Sequence, residues 1–219
     1  MLNSFTINRN LVRDQLYEHL REQIGLGKMV PGNIVNTKQL MKDLNVSQTP
    51  LREAFLKLQA DGFVTVLPQR GVKINVLTWK DIKEIYEIIG GLESRVIISA
   101  FNKIGPNRIE KMTKINEQMF SAGSTENYSK YYDLNIAFHN IHLELSDNVR
   151  IVELINKHRS ILFHFAKRDY GRKWEKENYD EHLELIKLFE KGNANQAADF
   201  IRDVHLTLKP EYQALVDNK

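Results

Sequence analysis

The sequence contains no cysteine among its 219 residues. This absence excludes disulfide bonds, thiolate zinc sites and cysteine nucleophiles, and it is typical of a protein kept in a reducing cytoplasm. Long apolar runs are missing as well: none approaches the roughly 18 residues of a membrane span, and the mean hydropathy is −0.42. Residues 1–10 lack the apolar h-region of a secretory signal. We therefore expect a cytoplasmic protein without a membrane segment.

Charge is distributed unevenly along the chain. Residues 1–77 carry ten Lys or Arg and six Asp or Glu, a balance of +4, whereas residues 78–219 carry 21 and 22, a balance of −1. Histidine is distributed the other way, since only His19 of the seven precedes residue 78. The basic part favours a polyanionic partner, and the histidine-rich part favours a metal or pH-sensitive site. Because the chain has the length of two domains, we predict domains at 1–77 and 78–219.

The first domain has the pattern of a winged helix-turn-helix. Apolar spacing predicts three helices, the second and third capped by Asn36 and Ser47. Runs of β-branched residues then predict two strands joined by a hairpin at 68–71. The predicted elements cover residues 9–27, 36–44, 47–61, 63–67 and 72–76.

Polar residues of this domain occupy positions that suit DNA. The start of the third helix favours phosphate through its backbone N–H groups and dipole, and its side chains can reach base edges in the major groove. A hydroxyl at the start of the second helix can meet a phosphate, and a glycine in the wing permits close backbone approach. The candidate DNA-binding residues are Thr37, Ser47, Gln48, Thr49, Arg52, Gln69, Arg70 and Gly71. Protein-binding modules share this pattern, and Arg52 could instead form an ion pair with Glu53 or Asp61.

Three runs in this domain resemble the GntR family of bacterial transcription regulators: Val46–Phe55 (VSQTPLREAF), Leu58 with Asp61–Val64, and Pro68–Val72 (PQRGV). The resemblance implies a DNA-binding domain. Gln48 stands where the family usually has Arg, and Ile34 stands where many members have a second DNA-facing Arg. Because Gln can bind adenine through two hydrogen bonds, we expect an operator that differs from the family's usual one.

The second domain is predicted to be all-α, because no strand pattern follows Val76. Thr78 begins a helix of about 25 residues, judged from its 3.6-residue apolar period. Gly90-Gly91 within it predicts a kink, a close helix crossing or space for a ligand. Five further helices are predicted over residues 107–122, 125–145, 148–169, 174–191 and 195–216. The fold class is thus mainly α: a winged helix-turn-helix followed by a helical bundle.

Short motifs in this half resemble the FCD effector domain of FadR-like GntR regulators: residues 81–87, 92–93, 138–139, 146–148 and 181–182. The resemblance implies a divalent metal bound by Asn135, His139, His182 and His205, with Asn135 where Asp is commoner. Residues 135 and 139 share one helix face, and three imidazoles with one oxygen suit Zn, Ni or Mn. The alternative is that these are ordinary core or surface histidines.

The resemblance also implies an effector cavity lined by the helix that follows. His158 and His164 are candidates for effector contact, and Arg159 could hold an effector carboxylate. A solvated charged face is the alternative interpretation of Arg159. Ile89 stands where many relatives have an arginine, which leaves the chemistry of the effector open.

We predict a ligand-responsive transcription regulator that is not an enzyme. A homodimer would bind a palindromic operator, because a two-fold protein matches a two-fold site. One alternative is a metal-dependent hydrolase that uses the histidine cluster, although the sequence has no H-E-x-x-H motif. Another is a winged helix that serves only in dimerisation.

Overall fold

The computed structural model describes the backbone of residues 9–166 and 171–213, and the side chains of residues 12–162 and 171–213. The chain forms two compact units, Met1–Val76 and Leu77–Lys219. Within the described part, no helix is both long enough and apolar enough to cross a membrane.

The first unit is a winged helix-turn-helix, as the sequence predicts. Its elements are α1 (Arg9–Gly25), β1 (Ile34–Val35), α2 (Thr37–Asp43), α3 (Gln48–Ala60), β2 (Val64–Leu67) and β3 (Gly71–Ile74). The wing has one strand more than expected, because β1 pairs antiparallel with β3 and gives a sheet of order β1-β3-β2. A strand of two residues is too short to show a period of two, so the sequence pattern could not reveal it.

Helix α3 is held by its apolar face, which leaves the opposite face to solvent. Leu51, Ala54, Phe55 and Leu58 are buried at positions that recur with helical spacing, and α1 packs beside them. The predicted caps lie at the predicted places. Asn36 Oδ1 accepts a hydrogen bond from the Gln39 backbone N–H at 3.0 Å, whereas Ser47 occupies the N-cap position of α3 without a side-chain capping bond.

The second unit is all-α over the residues described, which confirms the predicted fold class. Its elements are α4 (Trp79–Ala100), α5 (Pro106–Ser124), α6 (Tyr128–Leu143), α7 (Val149–Ala166), α8 (Arg172–Glu190), α9 (Ala194–Phe200), a π-helical segment (Ile201–His205) and short 3-10 turns at Phe101–Lys103 and Pro210–Tyr212. Thr78 and Asp81 form a capping box at the start of α4.

The paired glycines do not interrupt α4. A Cβ added at Gly90 would lie 3.2 Å from Leu206 Cβ and 3.4 Å from Arg202 Cα, whereas one added at Gly91 would meet nothing within 4 Å. Of the three alternatives for this pair, the structure therefore favours a close crossing, and it does so at Gly90 alone.

The prediction of one continuous helix over 195–216 was wrong. Helix α9 ends at Phe200, the chain widens into the π-helical segment, and the Leu206 N–H bonds to Ile201 O at 2.9 Å. Pro210 cannot continue a helical hydrogen-bond ladder, and it begins a separate 3-10 turn. Residues 214–216 of the predicted helix lie outside the described residues.

Candidate functional sites

The N-terminus of α3 presents polar side chains to solvent. Ser47, Gln48, Thr49 and Arg52 are all exposed, and the Ser47 hydroxyl is not used in capping. Within the described part of the chain Arg52 forms no ion pair, so the alternative pairing with Glu53 or Asp61 is not observed. Asp61 instead accepts a hydrogen bond from the Tyr17 hydroxyl at 2.8 Å. These four residues are therefore available to a partner.

The wing tip exposes Gln69 and Arg70 between β2 and β3. Gln69 and Gly71 have φ values of +59° and +107°, and such positive values allow the chain to reverse between the two strands. Gly71 also has a packing reason to lack a side chain, because an added Cβ would lie 3.2 Å from Ile34 Cγ2. Thr37, the other candidate of this unit, is half-buried at the first position of α2.

Two exposed lysines of the first unit were not predicted as DNA-binding residues. Lys38 follows Thr37 in α2, and Lys73 lies in β3 between buried Val72 and Ile74. Neither forms an ion pair with any residue that the structure describes, so both add free positive charge to the first unit. The alternation of apolar and charged residues over 72–74 could have identified Lys73 as outward-facing.

In the second unit, three predicted metal ligands come together in the interior. His139 lies on α6, His182 on α8 and His205 at the end of the π-helical segment, and all three are buried. Their candidate ligand atoms lie within 4.8 Å of one another. The Nε2 atoms of His139 and His205 are 3.2 Å apart, and His182 Nε2 is buried without a hydrogen-bond partner among the described residues.

Each of these histidines is oriented by an oxygen at its other ring nitrogen. His139 Nδ1 lies 2.9 Å from Glu93 Oε2, His182 Nδ1 lies 3.0 Å from Asn116 Oδ1, and His205 Nδ1 lies 3.0 Å from Glu181 Oε2. Carboxylate oxygens only accept hydrogen bonds, so Nδ1 of His139 and of His205 carries the proton. The Asn116 amide is fixed because its Nδ2 donates to Tyr179 O at 3.1 Å, which directs its oxygen to His182.

This arrangement fits a metal ion. With the protons on Nδ1, the three Nε2 atoms direct lone pairs into one small space, where an ion would offset their mutual repulsion. Oxygen acceptors behind metal-bound imidazoles are the usual arrangement in metal sites, since they fix both the tautomer and the ring orientation. The ring of His182 is held further by stacking on Phe138, with centroids 3.8 Å apart.

Burial sets the charge state of His139 and His182. Burial lowers the pKa of His139 to about 3, although Glu93 opposes the shift, and burial also holds the pKa of His182 well below its ordinary value. Both rings are therefore neutral at neutral pH, the form that binds metals. Burial alone would raise the pKa of Glu93, but the guanidinium of Arg159 holds it well below its ordinary value. Glu93 is thus a buried carboxylate.

The remaining candidates of this unit are placed as follows. Asn135 is half-buried on α6, one helical turn before His139. Arg159 pairs with Glu93 and donates from Nη1 to Asn140 Oδ1 at 3.2 Å, so its guanidinium already has anionic and amide partners. His158 is half-buried, and its Nδ1 has no partner among the described residues. The side chain of His164 lies outside the described residues.

The oxygens behind the histidines were not predicted as site residues. Glu93 and Glu181 occur in the quoted motifs, at 92–93 and 181–182, but nothing in the sequence pairs them with particular histidines. One signal was available for Glu93, since it occupies the same face of α4 as buried Ile89 and Ile97. A carboxylate at a core position of a helix indicates a paired, functional or structural charge.

A winged helix with an exposed polar α3, followed by a helical domain with a buried histidine cluster, defines a DNA-binding regulator with a separate sensory domain. The model of the gntR family of bacterial regulatory proteins matches residues 12–74, and the FCD domain model matches residues 84–206. The chain belongs to the GntR family and carries an FCD effector domain.

Relatives support this assignment. The HTH-type transcriptional regulator YdhC of Bacillus subtilis is 31% identical over 70% of this chain and 68% of its own length. The transcriptional repressor RspR of Escherichia coli is 26% identical over 62% of this chain and 60% of its own length. The structure of E. coli McbR/YncC shares the fold with a TM-score of 0.71 and 19% identity, covering 89% of this chain and 93% of that chain. The structure of a GntR regulator from Rhodococcus sp. RHA1 shares the fold with a TM-score of 0.69 and 23% identity, covering 93% of this chain and 96% of that chain.

Proposed function

We propose that this GntR-type regulator binds its operator under the control of a small molecule that enters the FCD domain at a divalent metal ion. Asn135, His139, His182 and His205 would hold the ion, which we expect to be Zn, Ni or Mn from the nitrogen-rich ligand set. The observation that carries the proposal is the convergence of three Nε2 atoms whose Nδ1 atoms are each held by an oxygen. When bound, the ion supplies Lewis-acid positions that attract oxygen ligands such as an effector carboxylate.

The DNA side of the proposal rests on the exposed α3 and wing. Ser47, Gln48, Thr49 and Arg52 would enter the major groove, and Gln69 and Arg70 would contact the backbone or the minor groove. Thr37 and Gly71 would contribute phosphate contacts. We propose that the protein acts in the cytoplasm as a homodimer on a palindromic operator, since two-fold proteins bind two-fold sites.

Control would pass along the chain through the short connection 76–78. An effector that binds one placement of the DNA-binding domains better than another shifts the population by its differential affinity. The comparisons give no support to the alternative of a metal-dependent hydrolase.

The metal is tested by measuring metal content after dialysis and melting temperature against added Zn, Ni and Mn. We expect the parent to retain an ion and to melt higher when it is added, because a ligand of the folded state stabilises it. His139→Ala should lose both properties, and Asn135→Asp should bind more tightly because it adds an anionic ligand. His158→Ala is the matched control outside the cluster. A parent that neither retains an ion nor responds to any of the three would refute the metal site.

A further inference from the structure

The histidine cluster is enclosed by protein, so an ion reaches it only when part of the domain moves. His182 is 0% exposed, His139 2% and His205 8%. The oxygens that hold the rings of His139 and His182 belong to residues that are 0% exposed, whereas Glu181, which holds the ring of His205, has a side chain that is 15% exposed. His205 is therefore the most exposed ring of the three, and the one whose support is least buried.

The carboxylate of Glu181 is held in turn by Lys209. Glu181 Oε1 lies 2.7 Å from Lys209 Nζ, and the other oxygen of the same carboxylate, Oε2, lies 3.0 Å from His205 Nδ1. Lys209 Nζ also lies 2.8 Å from Oε2 of Glu177, one turn earlier on α8. Lys209 is thus a positioning residue, which acts on His205 through Glu181.

Lys209 belongs to a C-terminal arm, residues 207–213, that follows the cluster and lies along α8. A second ion pair joins the arm to this helix, since Glu211 Oε1 lies 3.4 Å from Lys173 Nζ. The positions of α8 that contact the arm recur every four residues and therefore form one stripe along the helix: 173, 177 and 181.

The arm is held on by side chains. Its backbone hydrogen bonds are local, such as the one from the Tyr212 N–H to Lys209 O at 3.0 Å, and none in the described part of the chain joins it to another element. Of residues 207–213, Tyr212 alone is buried, and the Lys209 side chain is 33% exposed. Ion pairs that solvent reaches contribute little each. A segment with few buried contacts opens locally while the helices stay folded.

We propose that this arm is a gate on the histidine cluster. In the closed arm, Lys209 fixes Glu181, and Glu181 fixes His205. When the arm detaches, the Glu181 carboxylate turns towards solvent and the His205 ring can swing away from the other two rings, which opens a path for the ion. Leu206 packs closely against Gly90, so it keeps the end of the π-helical segment in place and the hinge lies directly after it.

A gate has a kinetic signature that a merely structural support lacks. If the ion passes only through the open form, weakening the closed arm raises the rates of ion binding and ion release by the same factor. The dissociation constant, which is the ratio of the two rates, then stays the same. A residue that only supports the bound ion changes the release rate alone. This passage of the ion rests on the proposed function, whereas detachment of the arm does not.

The first measurement uses the full-length protein and Zn²⁺, or Ni²⁺ or Mn²⁺ if the protein retains only one of those. Binding is followed by stopped-flow mixing, and release by transfer to a coloured chelator. Glu177→Gln removes one ion pair of Lys209 and leaves Glu181 in place. We expect both rates to rise about three- to fivefold, the upper part of the effect of one such pair, at an unchanged dissociation constant. Glu184→Gln is the matched control, because Glu184 pairs with Lys187 on the same helix at 3.3 Å.

The second measurement needs no metal. The sequence contains no cysteine, so a Leu208→Cys variant carries a single thiol, at a half-buried position of the arm. The rate at which a thiol reagent labels it reports how often the arm detaches. In this background Glu177→Gln should speed labelling by about the same factor as it speeds ion exchange, and Glu184→Gln should leave the labelling rate unchanged.

Faster binding and release at an unchanged dissociation constant, together with faster labelling, would support the gate. A release rate that rises alone in Glu177→Gln would overturn it, and so would ion rates that do not respond to this change, even where labelling does. A protein that binds none of the three ions would refute the proposed metal site. Labelling that is equal in the Glu177→Gln and Glu184→Gln variants would then show that the arm is not held by Lys209.

Discussion

At the scale of single residues, the negative charge near the histidine cluster is carried by carboxylates at the Nδ1 atoms of the rings and not by the candidate ligands themselves. Asn135 is neutral, so the four candidate ligands carry no formal charge. The carboxylates of Glu93 and Glu181 accept hydrogen bonds from His139 and His205, and such acceptors raise the basicity of the imidazole that they hold. We infer that these two residues replace part of the charge that an aspartate at position 135 would give.

Removing one of these charges should weaken metal binding at the proposed site without disturbing the fold. Glu181→Gln keeps an oxygen that can accept from His205, and Lys209 keeps its 2.8 Å contact with Glu177. We expect metal affinity to fall about tenfold, the lower end of the effect of such partners, in a competition titration against a coloured chelator. Glu181 itself pairs with Lys209 at 2.7 Å. Glu177→Gln is therefore the control, because Glu177 shares this lysine but contacts no histidine in the described structure. An equal loss in the two variants would show that Lys209, and not the histidine, is responsible.

Arg52 tests the DNA-binding surface. Arg52→Ala should weaken specific duplex binding by about 1–3 kcal/mol, the usual value of an arginine contact to a base, while helicity is unchanged because the side chain is exposed. The measurement is a titration of a duplex selected from random sequences. Arg150→Ala removes the same charge from an exposed position on α7, and it should have little effect. Undiminished affinity of Arg52→Ala would remove this residue from the interface.

The sequence predicts the histidines better than their partners. His139 and His182 lie within the quoted motifs at 138–139 and 181–182, whereas His205 lies outside them and is implied only by the resemblance to the FCD domain as a whole; the three side chains lie together in the structure. The link between Asn116 and His182 joins residues 66 positions apart. No period or local motif encodes such a pair, since it depends on how α5 and α8 pack.

At the scale of elements, the π-helical segment and α4 form a close pair. The segment ends at His205, and a π-type turn changes the direction of the side chains that follow it, a feature often found at functional sites. The sequence predicted an ordinary helix here, because π turns have no distinct apolar period. The sequence did predict that a close helix crossing could occur at the glycine pair. Only the packing against Leu206 and Arg202 shows that the crossing involves Gly90 and not Gly91.

The two glycines therefore offer a matched comparison. Gly91→Ala should raise the melting temperature, because alanine is about 1 kcal/mol better than glycine in a helix and the position is open. Gly90→Ala gains the same propensity but forces its Cβ against Arg202 and Leu206, an overpacking that costs about 1–3 kcal/mol. We expect it to melt below Gly91→Ala and to bind metal more weakly, as His205 shifts. Equal melting temperatures and equal metal affinities would show that the helix crossing at Gly90 can accommodate a methyl group without strain.

At the scale of the whole molecule, the proposed control requires the two units to be coupled. Adding the divalent ion that stabilises the protein should change its affinity for the selected duplex about 5–150-fold, the usual range of allosteric coupling. Because coupling is reciprocal, adding the duplex should change the affinity for the ion by the same factor. Both titrations must use one salt concentration, because phosphate contacts make affinity depend steeply on salt. His139→Ala should keep basal duplex binding and lose the ion's effect. Duplex affinity that is the same with and without the ion would show that the ion does not control DNA binding.

The pairing of Glu93 with Arg159 also constrains how this domain can change by mutation. Losing either partner leaves a buried charge without its counterion, at a cost of about 3–5 kcal/mol, whereas replacing both with apolar residues of similar size can be neutral. Glu93 Oε2 also lies 2.9 Å from His139 Nδ1 and 3.1 Å from Nε2 of His142, a further buried histidine on α6. Even the double replacement would therefore remove the acceptor that orients these two rings. Drift at these positions must therefore pass through unstable intermediates, and we expect descendants of this protein to keep the pair together or to lose the cluster altogether.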